Sequence, residues 1–280
     1  MAQTNLVTEP IAKPTFLYGT AWKEDNTRPL VDQAVRAGFR GIDTANQRKH
    51  YHEAGVGQAL AELYRQKVVR REELFLQTKF TFQDGQDQRL PYDPKADTAT
   101  QVQQSFASSL EHLGTTFLDS YVLHGPSRRV GLGAMDWEAW RAMEAIAADG
   151  RARALGVSNV SLEQLEELTA KAKIAPSYVQ NRCYAIHGWD AGVRAFCSSH
   201  AIRYQGFSLL TANPDVLRSA TVKQIAKRLV RTPAQVVFRF ALQIGMLPLT
   251  GTTDPIHMRE DLDVLGFAVD DADVGAIEEH

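Results

Sequence analysis

Short apolar runs punctuate the chain, and longer amphipathic segments separate them. Eight such runs stand out, at 16–18, 39–42, 74–76, 118–123, 154–157, 178–179, 202–204 and 246–247. A short apolar run without alternation suits a strand buried on both faces, as in a parallel sheet covered by helices. The intervening segments carry helical spacing. Leu30, Val31, Ala34 and Val35 follow Pro29 and stop at Gly38. Val102, Phe106, Leu110 and Leu113 stop at Gly114, and Trp137, Trp140 and Met143 follow Asp136 and stop by Gly150. Capping boxes at Ser161 with Gln164, Thr221 with Gln224, and Thr232 with Gln235 open three later helices. Pro233 then falls at a first helical position, where its missing N–H costs nothing.

Strictly alternating strands and helices predict parallel strands joined by right-handed crossovers. Eight units predict a closed α/β barrel, a (β/α)8 TIM barrel, as a single domain over 1–280. A chain of this length fits one such barrel, which typically takes about 250 residues. The competing fold, an open doubly wound sheet, needs a G-x-G-x-x-G turn after its first strand. Gly19-Thr20-Ala21-Trp22 is not that turn, and Gly131-Leu132-Gly133 has no strand just ahead of it. Two long connections, 81–97 and 124–134, follow the third and fourth strands. They belong to the face on which barrel active sites are built.

Composition narrows the classes. Apolar residues make up 44% of the chain, enough for a core without staples, and the two cysteines, Cys183 and Cys197, imply no disulfide framework. A net charge of −2 with both signs dispersed offers no basic block for nucleic acid. The leading polar segment 1–14 lacks a signal-peptide core, and no run of about 18 apolar residues spans a membrane. A cytoplasmic monomer acting on a small molecule is the expectation, with no metal.

Polar residues at strand ends point into a barrel's mouth. They are Asp43, Lys79, His124, Ser158 with Asn159, Gln180 with Asn181, Phe207 with Ser208, and Thr250 with Gly251. Singly, a strand-end Asp caps a helix, a Lys is solvated and a His is a satisfied structural group. An acid, an amine and an imidazole on three successive strands, with a tyrosine nearby, point instead to proton transfer.

These residues sit in stretches that resemble the aldo-keto reductase family. The stretches are Gly41-Ile42-Asp43-Thr44-Ala45; Glu53 with Val56-Gly57 and Ala59-Leu60; Leu76-Gln77-Thr78-Lys79; Leu118-Asp119-Ser120-Tyr121-Val122-Leu123-His124; Gly156-Val157-Ser158-Asn159; and Val179-Gln180-Asn181. Arg231-Thr232-Pro233-Ala234-Gln235 and Gly251-Thr252-Thr253 ahead of Arg259-Glu260-Asp261-Leu262 complete the order. The resemblance implies a nicotinamide-dependent carbonyl reductase with a catalytic Asp, Tyr, Lys and His. Asp43, Lys79 and His124 carry over directly. The tyrosine does not, because the position five residues after Asp43 is Arg48 and the segment before Val56 is two residues longer than usual. Tyr51 is taken as the acid; counting back from Val56 lands on His50, the alternative.

The chemistry can be stated on its own terms. A carbonyl that receives hydride becomes an alkoxide and needs a proton. Tyrosine, with a pKa near 10, donates poorly at neutral pH. The expectation is that Lys79 lowers the Tyr51 pKa, Asp43 holds Lys79 charged, and His124 donates a hydrogen bond to the carbonyl oxygen.

The resemblance further implies cofactor contacts. Ser158, Asn159 and Gln180 would hold the carboxamide, Phe207 would stack on the ring, and Gly19 and Thr20 would lie beside ring and ribose. Ser208, Leu209 and Leu210 would follow the pyrophosphate. Thr250, Gly251, Thr252, Arg259 and Asp261 would hold the adenosine end. NADP(H) is implied, but Leu249 and His257 stand where many relatives carry cations for its 2′-phosphate, so NAD(H) or dual use stays open. Trp22 and Trp189 are candidate walls of an open substrate pocket, or else packing residues. Two alternatives remain: a Schiff-base lyase using Lys79, and a cofactor-binding regulatory subunit without turnover.

Overall fold

The computed structural model describes residues 13–279, so most of the polar leading segment and His280 lie outside the described residues. Its strands are β1 (Leu17–Gly19), β2 (Gly41–Asp43), β3 (Phe75–Phe80), β4 (Ser120–Leu123), β5 (Leu155–Ser158), β6 (Tyr178–Arg182), β7 (Arg203–Phe207) and β8 (Leu247–Thr250). Each pairs in parallel with the next, and β8 pairs with β1, so the sheet closes into a barrel as the sequence pattern predicts. Every strand overlaps one of the apolar runs. Several extend beyond it into polar residues, because the upper strand ends line the mouth rather than the core.

Outside the barrel lie α1 (Thr27–Ala37), α2 (Glu53–Arg65), α3 (Thr98–Leu113), α4 (Ala134–Ala148), α5 (Leu162–Lys171) and α6 (Ala191–Ser199). Three helices, α7 (Pro214–Arg218), α8 (Ala220–Leu229) and α9 (Pro233–Gln243), bridge β7 to β8, and α10 (Pro255–Asp263) and α11 (Asp271–Glu278) follow. Gly114 ends α3 in the left-handed conformation that glycine adopts without strain. Ser161 and Thr232 cap α5 and α9 through the predicted boxes. The box at Thr221 does not form. Ser219 caps α8 instead, accepting from the Val222 N–H at 3.1 Å. The short α7 ends there, and starting α8 at Ala220 buries Val222, Ile225 and Ala226 together. Asp136 lies inside the first turn of α4, where its carboxylate takes the N–H groups of Ser127 and Gly133. Gly57 marks a helix crossing: a Cβ there would lie 1.9 Å from the His112 carbonyl oxygen at the end of α3.

The barrel interior is layered by the two-residue period of its strands. At the bottom Leu17, Phe75, Ala154, Tyr178 and Leu247 form an apolar plug. One step up, Gln77, Gln180 and Gln205 bond to one another at 2.8–3.0 Å. Above Gln77 on β3 comes Lys79. The larger apolar cluster fills the space between strands and helices.

Candidate active site

The ends of β2, β3 and β4 bring three of the predicted side chains together. Lys79 is fully buried, and its ammonium lies 2.7 Å from both Asp43 carboxylate oxygens and 2.9 Å from the Thr44 carbonyl. All three of its N–H donors are therefore engaged. Asp43 also accepts from Gln77 at 2.7 Å and Gln180 at 3.0 Å, so the glutamine layer supports the carboxylate from below. Burial pulls the Lys79 pKa down, against the upward pull of Asp43.

Tyr51 joins this pair from the β2–α2 connection. Its ring centroid is 5.2 Å from the Lys79 ammonium and 5.9 Å from the His124 ring, which meets it edge-on. The longer segment is accommodated as a turn in which the His50 and Tyr51 N–H groups both reach the Gln47 carbonyl. Residues of the β3–α3 connection staple that turn. Gln86 donates to the Asn46 carbonyl at 2.9 Å and Arg89 to that of Arg48 at 3.1 Å, while Gln47 donates to the Gly85 carbonyl at 2.6 Å. The His50 ring lies 3.9 Å from that of Trp22 at the rim, on the His124 side of the mouth rather than against Lys79. Position 51, not 50, thus lies against Lys79.

The expectation for the phenol is not met. Burial first, then the Asp43 charge, push the Tyr51 pKa up. The Lys79 N–H groups go to Asp43 and Thr44, so at the resting phenol its charge acts only through space and burial outweighs it. His124 follows β4. Its Nδ1 lies 2.7 Å from the Thr81 hydroxyl, and its carbonyl accepts from Asn159 at 2.8 Å. Burial, then Lys79, then His50 hold its pKa down to about 3, so the ring is neutral at physiological pH.

The remaining predicted residues occupy the rest of the rim. The Ser158 hydroxyl donates to the Gln180 carbonyl at 2.6 Å, and Asn159 adopts a left-handed backbone. Among the described residues, Asn159 Oδ1 and Gln180 Oε1 carry no hydrogen bond, which suits them to a carboxamide NH2. Thr20 is buried, donating to the Asp43 carbonyl at 3.0 Å beside Gly19. Phe207 lies beside Arg182, whose guanidinium is 5.6 Å from the ring centroid. Ser208 takes a left-handed backbone, Leu209 is buried and Leu210 packs on the core. Thr250 is buried, and the Tyr18 hydroxyl holds the Thr252 carbonyl at 3.0 Å.

Sequence reasoning missed Lys23. It is buried in the β1–α1 connection, donates to the Gly251 carbonyl at 2.7 Å and has its pKa lowered by burial to about 8. Gln77, Gln205 and Thr81 were missed too. The two glutamines continue the inward period of their strands, a signal that could have found them. Two tryptophans part company. Trp22 is 71% exposed at the rim, as a pocket wall needs. Trp189 is not at the mouth: it is fully buried, packs on Phe240 and donates to the Ile277 carbonyl at 3.2 Å. It is a packing residue that seats α11. A surface depression of about 560 Å³ between Arg71, Glu72, Leu110 and Phe117 lies where β3 and β4 begin, on the opposite face.

After β8, Arg259 is exposed on α10, while Asp261 is 4% exposed and its Oδ2 has no partner. Burial raises its pKa from 3.8 to about 6. The folded state thus holds this proton more tightly than the unfolded chain. Stability is greatest below the unfolded value and is lost as pH rises toward about 6, where the deficit reaches about 3 kcal/mol. Asp261→Asn should therefore raise urea stability at pH 7.5 by up to that amount, with the gain shrinking toward pH 4. An equal gain at both pH values, or a loss at pH 7.5, would contradict this account.

Comparisons with known proteins show the family and the fold. The profile of the Aldo/keto reductase family matches residues 15–280. "Aldo-keto reductase family 4 member C11" of Arabidopsis thaliana is 32% identical over 257 residues, covering 85% of this chain and 76% of that protein. The methylglyoxal reductase DkgA of Salmonella typhimurium is 27% identical over 267 residues, covering 91% and 86%. The crystal structure of an aldo/keto reductase from Brucella melitensis superposes with a TM-score of 0.79 at 26% identity, over 95% of this chain and 94% of that one.

Proposed function

The chain belongs to the aldo/keto reductase family, and on that premise we propose that it reduces aldehydes or ketones to alcohols, with Tyr51 as the proton donor. The observation that carries the proposal is the meeting of Tyr51, Lys79 and His124 within 5.2 and 5.9 Å at the strand ends.

Bound at the rim, a reduced nicotinamide supplies the hydride. Ser158, Asn159 and Gln180 would hold its carboxamide, Phe207 would cover the ring, and Gly19 and Thr20 would border it. Ser208, Leu209, Leu210 and the Lys23 amine would line its phosphates, with Thr250, Gly251, Thr252, Arg259 and Asp261 around the adenosine. NADP(H) is the working assignment. NAD(H) is tested beside it, because the buried Asp261 carboxyl and the uncharged Leu249 side chain favour a ribose hydroxyl over a dianion.

The neutral His124 ring orients the carbonyl oxygen by hydrogen bond. The phenol, held protonated by burial, delivers its proton as negative charge develops. The ammonium of Lys79 lies close enough to stabilise the phenolate formed in that step, and Asp43 fixes the ammonium in place. We take the working form to be a cytoplasmic monomer. The free, buried Cys183 and Cys197, with thiols pushed up to about 12, suit a reducing compartment.

The Schiff-base reading is disfavoured, since Lys79 is fully buried with every donor engaged. Turnover without any added partner would dispose of the regulatory reading. The test is oxidation of NADPH and NADH with a panel of small aldehydes and ketones across pH 6–9. Tyr51 stays protonated and His124 stays neutral throughout that range, so kcat for reduction should show no inflection at the ordinary histidine value. A bell centred there, or no turnover with any carbonyl, would refute the proposal.

A further inference from the structure

We propose that Thr81 is a positioning residue: its hydroxyl donates to His124 Nδ1 and so fixes the tautomer that leaves the Nε2–H free to face the carbonyl oxygen. The catalytic consequence rests on the reductase reading, but the tautomer itself does not.

The direction of the hydrogen bond follows from bookkeeping of donors and acceptors. Thr81 is 6% exposed, and among the described residues its hydroxyl has one partner, His124 Nδ1, at 2.7 Å. If Nδ1 carried the proton and donated, the threonine O–H would be left buried with no acceptor, an arrangement with a substantial desolvation cost. If the hydroxyl donates, both groups are satisfied. A neutral imidazole that accepts at Nδ1 must carry its proton at Nε2. The opposite tautomer would present a lone pair to the substrate oxygen and repel it.

Thr81 is also held in one orientation. Its carbonyl accepts from the Tyr92 hydroxyl at 2.8 Å and from Gln86 at 3.4 Å. Its methyl group sits over Gly85, where a Cβ would approach to 2.7 Å. Gly85, Gln86 and Tyr92 all belong to the long β3–α3 connection that also staples the Tyr51 turn. One loop therefore sets both the proton donor and the tautomer of its neighbour.

The test is long-range 1H–15N NMR of the histidine rings, with the His124 signals assigned by loss in His124→Gln, alongside kinetics. In wild type, Nδ1 should resonate as an unprotonated acceptor and Nε2 as a protonated donor. Thr81→Val should mix the tautomers and lower kcat about 5- to 150-fold, leaving cofactor Kd unchanged. Thr81→Ser, which keeps the hydroxyl, should restore both the tautomer and kcat. A protonated Nδ1 in wild type would overturn the proposal, as would an unchanged tautomer in Thr81→Val. Because NMR needs no substrate, it decides the tautomer even if no carbonyl is turned over.

Discussion

Replacing Tyr51 by phenylalanine is expected to lower kcat/KM for carbonyl reduction by about 10²- to 10⁴-fold, the range of a positioned general acid. His50→Ala should stay within several-fold of wild type. The two residues are adjacent, so a difference of this size isolates the geometry. The Tyr51 ring lies 5.2 Å from the Lys79 ammonium, while the His50 ring lies 3.9 Å from that of Trp22 at the rim. The phenylalanine ring keeps the edge contact with His124 and the apolar face toward Lys79, so only the proton is removed. Cofactor affinity, measured by fluorescence titration, should be unchanged in both variants. If His50→Ala lost as much activity as Tyr51→Phe, the proton donor would have to be reassigned.

That assignment shows what the sequence could and could not reveal. The strands were legible because each apolar run marks a stretch buried on both faces, and the strand-end residues were legible because barrels display them in register. The register of Tyr51 was not legible by counting, since a two-residue lengthening can bulge in several ways. Three loop contacts, from Gln86, Gln47 and Arg89, decide it. Trp189 stayed open between pocket wall and packing residue because a residue past a strand can turn inward to the mouth or outward to the helices. Phe240 and the Ile277 carbonyl, both far along the chain, hold it outward. The phenol was misjudged for an electrostatic reason. Burial of the phenol and the nearby Asp43 charge raise its pKa, so the Lys79 ammonium acts on the phenolate as it forms rather than on the resting phenol.

The Asp43–Lys79 pair carries the other large expectation. Breaking a buried ion pair from one side leaves an uncompensated charge, and Asp43→Leu or Lys79→Met alone should lower unfolding stability by about 3–5 kcal/mol. Asp43 is the more sensitive position, because Gln77 and Gln180 also donate to it and lose an acceptor together. The double variant should be more stable than the sum of the two losses predicts, since no unpaired charge remains and apolar groups fill similar volume. Activity should not recover with it. The phenolate formed during proton transfer would have no cation beside it, so the double variant should remain as inactive as Lys79→Met. Urea unfolding with parallel turnover assays separates the two effects. Strictly additive stability losses would mean that the pair is not coupled as the 2.7 Å contacts require. Recovery of turnover along with stability would mean that the buried amine serves the fold alone, and the proton would then have to leave Tyr51 without electrostatic help.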